Sequence, residues 1–382
     1  MRGSYEKHGV HKIMNLSPKL LASLKGEAPM PPWLYLLYPA SLIYGFAAGL
    51  KAWLYSSGII KPKRLACKVI SVGNITAGGT GKTPMVINIV RMLEEKGIKT
   101  AVLTRGYKGM SEGRVRVVSD GLGNILPPGE AGDEPVLIAR SLPGVPVVMG
   151  SDRYEAGKAA WERFHPRAMV LDDGFQHVRL HRDLNILLMD AAHPFGNGHT
   201  IPMGYLREPK RGVKRANFII FTGATTIRPE EEQKVKSFAL SDTSMANAGY
   251  FPVSFYNINS REKSREEIPA ELFAGKRIFA FCGIANPGSF SLILHKLNAK
   301  ITGSEEFPDH HSYSLEDVAF LEGKAAESGA EVLVTTEKDA VKLEGLVPAG
   351  TGIYALKAGM EIYNGSELLD ISLNRALEGQ DG

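Results

Sequence analysis

Ile75-Thr76-Ala77-Gly78-Gly79-Thr80-Gly81-Lys82-Thr83-Pro84 follows the apolar run Lys68-Val69-Ile70-Ser71-Val72 and leads into a helix-like stretch from Met85. A strand, a glycine-rich turn and a helix in that order make a phosphate cradle. Successive backbone N–H groups and the positive end of the helix converge on polyphosphate oxygens. Lys82 supplies a neutralising charge and the Thr83 hydroxyl a ligand for Mg²⁺. Nucleotide contacts are therefore expected from Thr76, Ala77, Gly78, Gly79, Thr80, Gly81, Lys82 and Thr83. Where the P-loop pattern has its first glycine this chain has Thr76, so the match is one residue short. Pro84 suits the first turn of a helix, where its missing N–H has no partner to lose. The cradle leaves the destination of the phosphate open, because hydrolysis, switching and phosphoryl transfer all begin with it.

A chain of 382 residues has room for about two domains, and 44% hydrophobic residues with evenly mixed charge describe a folded protein. The net charge of +4 argues against a nucleic-acid partner and is compatible with an anionic surface or substrate. Cys67 and Cys282 stand far apart with no CxxC pair, which points to a reduced cytoplasmic compartment and no structural zinc.

From Trp33 to Tyr55 the chain reads WLYLLYPASLIYGFAAGLKAWLY, with Lys51 as its only charge and aromatic residues at both ends. That length matches a bilayer, but Pro39, Gly45, Gly49 and Lys51 favour a helix lying in the interface. A full span and a buried core helix are the alternatives. Lys61, Lys63 and Arg64 follow directly, a placement suited to a cytoplasmic, anionic leaflet.

Beyond the cradle, short apolar runs alternate with helical patterns, which predicts a mostly parallel sheet covered by helices. The expected strands are Thr100 to Thr104, Val145 to Met149, Ala168 to Leu171, Leu184 to Met189 and Phe218 to Thr222. A charged stretch around Asn257 to Ile268 reads as a linker or edge element. A smaller α/β domain is expected after it, with strands at Arg277 to Cys282 and Glu331 to Thr335. The division is thus 1–60 for the N-terminal segment, 61–256 for the cradle domain and 257–382 for the second domain. Ligands of open parallel sheets gather at the carboxyl ends of strands, so the loops there are the place to seek chemistry.

Three acidic constellations stand out. Asp172-Asp173 ends an apolar strand, where a P-loop fold needs a carboxylate for Mg²⁺; His177 nearby is either a substrate contact or a turn histidine bonded to backbone. Asp133-Glu134 precedes a helical stretch, where acids commonly serve the helix start. Asp309-His310-His311 puts an acid and two imidazoles on an apparent loop. Arg105, Arg153 and Arg207 lie at strand ends and loops, where guanidinium groups suit phosphate oxygens.

Together with Thr104-Arg105-Gly106-Tyr107, Gly132-Asp133-Glu134-Pro135, Asp152-Arg153-Tyr154, Leu206-Arg207-Glu208-Pro209 and Thr336-Glu337-Lys338-Asp339, these segments resemble the tetraacyldisaccharide 4′-kinases of lipid A biosynthesis. The resemblance implies an enzyme that moves the γ-phosphoryl of ATP to the 4′-hydroxyl of an acylated glucosamine disaccharide 1-phosphate. It implies Asp133 as general base assisted by a histidine of Asp309-His310-His311, His310 being preferred over His311, with Lys82 and Arg207 on the phosphates, and Thr83, Glu134, Asp172 and Asp173 as Mg²⁺ candidates. Arg105, Arg153, His177 and His311 are the substrate-contact candidates. A monomer at the cytoplasmic face of a Gram-negative inner membrane is the implied setting. The rival is a membrane-associated P-loop ATPase switch, which needs neither Asp133-Glu134 nor Asp309-His310-His311.

Overall fold

Runs of aliphatic residues become strands buried on both faces, as a helix-covered parallel sheet requires. The computed structural model describes residues 18–106, 115–258, 266–348 and 351–378. Tyr107 and most of the charged stretch after Asn257 lie outside the described residues. After α1 (Pro18–Lys25), a 3₁₀ turn over Pro32–Leu37 and α2 (Tyr38–Ser56), the central strand β1 (Lys68–Asn74) runs into the glycine-rich loop and α3 (Lys82–Glu95). Next come β2 (Thr100–Thr104), β3 (Arg116–Ser119), α4 (Pro128–Ala131), α5 (Asp133–Ser141), β4 (Val147–Met149), α6 (Arg153–Phe164) and β5 (Ala168–Asp172). This half ends with β6 (Leu184–Asp190), β7 (Phe218–Thr222), α7 (Pro229–Lys236) and β8 (Ser244–Asn257).

The remainder comprises β9 (Ile268–Pro269), β10 (Arg277–Cys282), α8 (Pro287–Lys296), β11 (Lys300–Glu306), α9 (Leu315–Glu327) and β12 (Val332–Thr336). It closes with α10 (Glu337–Leu343), β13 (Ile353–Asn364) and α11 (Ser366–Glu378). All of these strands join one 13-stranded sheet in the order β11-β10-β12-β13-β8-β7-β6-β1-β5-β2-β4-β3, with β9 on β8.

The long strands β8 and β13 have no counterpart in the sequence reading, and they set the geometry. They pair antiparallel along most of their length. Only the start of β8, Ser244 to Ala248, pairs with β7. Only the start of β13, Ile353 to Leu356, pairs with β12. The two parallel runs are thus attached at opposite ends of an antiparallel ribbon. Their carboxyl edges, where parallel sheets bind ligands, turn toward each other. Tyr250 and Met360, in the middle of the ribbon, rest against Gly81 at the start of α3.

The end of the chain crosses back: Leu369, Leu373 and Ala376 of α11 enter the same core as Ile70 and Val72 of β1. Leu373→Ala is expected to cost about 2–5 kcal/mol of unfolding free energy. Leu368→Ala, on the 46% exposed face of the same helix, should stay within about 0.5 kcal/mol. Urea titration followed by circular dichroism checks both; equal effects would mean that α11 does not pack through this face.

Candidate active site

Thr76 breaks the P-loop pattern for a physical reason. It forms an antiparallel bridge with Leu206. Ala77 N–H donates to the Tyr205 carbonyl and Arg207 N–H to the Ile75 carbonyl, each at 2.7 Å. A residue in extended pairing has no use for the backbone freedom of glycine, and threonine suits it. Gly78 and Gly81 do need that freedom, with φ of 101° and 81°. A β-carbon on Gly78 would lie 2.4 Å from the Tyr205 hydroxyl. Asn74, at the end of β1, braces the loop from inside by donating to the Thr80 hydroxyl at 2.9 Å. Its own carbonyl accepts from Gln176, which also donates to the buried Glu208. Arg215 completes that network with a 2.6 Å ion pair to Glu208.

The loop's bridge to residues 205–207 delivers Arg207 to the cradle. Its guanidinium donates to both oxygens of Asp173 at 3.0 and 2.8 Å, while Lys82 lies 3.6 Å from the same carboxylate. Burial pushes Asp173 up, but Lys82 and Arg207 outweigh it and hold the carboxyl below its ordinary range. Its neighbour behaves oppositely. Asp172 is buried, and burial followed by the charges of Glu134 and Asp173 pushes it up to about 7. Its Oδ2 accepts from Thr104, whereas Oδ1 is buried without a hydrogen-bond partner among the described residues.

An orphaned, electron-rich oxygen beside further carboxylates is a fitting environment for a hard divalent cation. Among the described residues no three acidic, imidazole or thiol groups converge into a closed metal cage. Mg²⁺ characteristically takes only one or two carboxylates and completes its shell with water and phosphate oxygens, so the donor set fits it.

From the other half of the chain, the loop after β11 reaches the first turn of α5. His310, with φ of 63°, points Nδ1 at Asp133 Oδ2 across 3.5 Å and Nε2 at Asp309 across 3.8 Å. Lys338 of α10 lies 3.0 Å from Glu134 and 3.4 Å from Asp309. Burial raises Asp133, yet the His310 contact and the charges of Lys342, His310 and Lys338 prevail and keep it below the usual carboxylate range. Glu134 is likewise lowered, Lys338 overcoming the effect of burial. The acids at the helix start thus face partners across the cleft as well as serving the helix dipole.

Other candidates have structural engagements. Arg153 is buried, donating to the carbonyl of Gly150 at 2.8 Å and lying 3.4 Å from that of Asp172, so it braces the acidic loop from behind. The His177 ring accepts from the Arg153 N–H at 3.3 Å, and burial and Arg153 push it down to about 4. The ring thus has a backbone partner in this structure. His311 stacks on Phe307 and pairs with Asp317 at 3.1 Å. Arg105 stays exposed at the end of β2, near enough to Arg153 for their charges to oppose. Asn74, Gln176, Glu208, Lys338 and Lys342 were not singled out in the sequence as site residues. Glu208 and Lys338 carried a signal, their places in Leu206-Arg207-Glu208-Pro209 and Thr336-Glu337-Lys338-Asp339.

The chain matches the model of the family described as Tetraacyldisaccharide-1-P 4'-kinase over residues 33–377. Among its relatives is the tetraacyldisaccharide 4'-kinase of Syntrophus aciditrophicus, 44% identical over 82% of this chain and 85% of the relative. That of Geobacter metallireducens is 42% identical over 87% of this chain and 95% of the relative. The crystal structure of LpxK from Aquifex aeolicus in complex with ATP superposes with a TM-score of 0.71 at 34% identity. It covers 90% of this chain and 99% of that one. With a phosphate cradle, a cross-cleft acid–imidazole pair and this agreement over nearly its whole length, the chain belongs to the tetraacyldisaccharide-1-P 4'-kinase family.

Proposed function

We propose that the protein transfers the γ-phosphoryl group of ATP to the 4′-hydroxyl of a tetraacylated glucosamine disaccharide 1-phosphate, in lipid A biosynthesis. The observation that carries this reading is the 3.5 Å approach of His310 Nδ1 to Asp133 Oδ2 beside the cradle. A switch that only hydrolyses ATP has no need of an acid–imidazole pair from a second wall. The named activity of the relatives supports the same conclusion.

Phosphoryl transfer asks a protein for alignment, charge neutralisation and removal of the acceptor proton. The loop from Thr76 to Gly81 grips the phosphates through its backbone N–H groups, and Lys82 moves from Asp173 to their oxygens. Asp133, lowered below the usual carboxylate range, is ionised at neutral pH and accepts the hydroxyl proton. His310 orients that carboxylate and steadies it once protonated. Arg207 neutralises charge on the transferring group, and Arg105 is our choice for the acceptor's own phosphate. Arg153, His177 and His311 act by holding these residues in place. Thr83 and Asp172, with Glu134 and Asp173 nearby, would hold Mg²⁺, which when bound would offset polyphosphate charge. Segment 61–256, joined by α11, and the rest of segment 257–382 form the two walls of the cleft, and closing them completes the site.

The acceptor is a lipid, and α2 is built for one. Ser41 bonds Thr200 through its hydroxyl at 2.7 Å, Gly45 packs on Thr200 and Gly49 on Pro209. This stripe of small residues seats the helix on the very loop that carries Arg207. Pro39 falls in the first turn of α2, where it costs the helix little. Ile43 and Phe46 of α2 are each 71% exposed, and Leu36 of the preceding 3₁₀ turn is 81% exposed. Only 17% of the most apolar stretch is buried, which supports a lipid-facing helix over a core helix. Lys61, Lys63, Arg64, Arg211 and Lys214 are all exposed, and the 3₁₀ turn Lys210–Arg215 packs against α2. An apolar face beside cations supports shallow insertion at the cytoplasmic face of the inner membrane of a Gram-negative bacterium.

Incubation with ATP and the acylated disaccharide 1-phosphate should give a new sugar phosphomonoester in the ³¹P NMR spectrum. Inorganic phosphate alone would instead identify an ATPase switch. Asp133→Asn should lower lipid phosphorylation by about 10² to 10⁴ with ATP affinity retained; turnover near the wild-type rate would remove Asp133 as the base. Ile43→Asp with Phe46→Asp should abolish sedimentation with vesicles of anionic phospholipid. Undiminished binding would assign the lipid contact to another surface.

A further inference from the structure

Thr336-Glu337-Lys338-Asp339 stands outside the roles assigned so far, and the structure gives it a physical account. Thr336 caps α10, its hydroxyl accepting from the Asp339 N–H. Asp339 is fully buried. Its carboxylate accepts from Gly283 N–H at 3.0 Å, from the Thr336 hydroxyl at 2.7 Å and from Lys342 Nζ at 3.0 Å. Gly283 directly follows β10, so Asp339 fastens the start of α10 to the carboxyl edge of the second parallel run. Lys342, one turn further on, has a side chain only 8% exposed, and its Nζ lies 3.8 Å from Asp133 Oδ2.

An ammonium so held is a fixed charge, because its strongest partner is an immobile buried carboxylate. It is aimed at the same oxygen of Asp133 that His310 approaches at 3.5 Å. The closest approach of each falls on Oδ2. A carboxylate approached by two groups from the opposite wall has its rotation restricted. The α5–α10 interface is rigid beyond this point, since Val341 is buried in the β1 core and Arg140 pairs with Glu344 at 2.5 Å.

We propose that Lys342, anchored by Asp339, is a positioning residue that orients the Asp133 carboxylate to receive the proton of the acceptor hydroxyl. This rests on the reading of Asp133 as the base. Lys342 touches neither ATP nor acceptor; it acts through Asp133.

The test is steady-state kinetics of the full-length protein with ATP and the acylated disaccharide 1-phosphate. Lys342→Met should lower kcat by about 10- to 100-fold while the KM for ATP stays within about twofold, the size of loss that misplacement of a reacting group brings. Lys342→Arg, which keeps the charge, should recover most of the loss. Because Lys342→Met leaves Asp339 buried without its cation, the double variant Lys342→Met/Asp339→Asn is measured alongside it. There the kcat defect should persist. A folded Lys342→Met or double variant with wild-type kcat would overturn the proposal, as would a KM rise equal to the kcat loss. Asp133→Asn separates the two levels. If it keeps wild-type transfer, the base assignment itself falls. If it is inactive while Lys342→Met is fully active, only the positioning role falls.

Discussion

Two carboxylates in the first turn of α5 and basic side chains brought from the far half of the chain form the interaction on which the rest of the structure depends. Asp133 meets His310 and Lys342, and Glu134 meets Lys338, each pairing crossing between elements far apart in sequence. None of the groups could be held this way by a single parallel sheet, whose carboxyl edge has nothing opposite it. The β8–β13 ribbon supplies the opposing edge, because its antiparallel pairing attaches the two parallel runs at opposite ends. Burial alone would raise the pKa of these acids, and the opposed cations reverse that.

The same logic of opposed charge separates the two aspartates at the end of β5. Asp173 faces Arg207 and Lys82 and stays ionised, whereas Asp172, buried among acids, is pushed up toward neutrality. Adjacent residues of one type thus acquire different chemistry from their surroundings. Arg207 owes its place to the bridge between Thr76 and Leu206. The residue that departs from the P-loop pattern is therefore the one that ties the cradle to its arginine and, through the same loop, to the seat of α2.

Much of the first half was legible from sequence because its strands are short, apolar and separated by clear helical patterns. β2, β7 and β10 coincide with the predicted runs, and β5 and β6 extend theirs by one residue. β8 and β13 were not legible, since alternating exposure and glycines such as Gly249 and Gly359 dilute their hydrophobic pattern. The cradle, the acids and His310 could be located by motif. What motif could not supply was which imidazole faces Asp133. Neighbouring histidines diverge, and here a positive φ at His310 turns one toward the acid while His311 stacks on Phe307. Lys342 gave no local signal at all. Its meaning comes from helical spacing behind Lys338 and from Asp339, whose partner Gly283 lies 56 positions away.

The central claim is that Asp133 and His310, from opposite walls of the cleft, act as one catalytic unit. A double-mutant cycle on kcat for lipid phosphorylation measures this directly, using Asp133→Asn, His310→Ala and the two combined. Residues acting as a unit lose their function together, so the combined variant should be no slower than Asp133→Asn alone within about threefold. Losses that multiply, with the double variant slower by the product of the two single effects, would contradict the account.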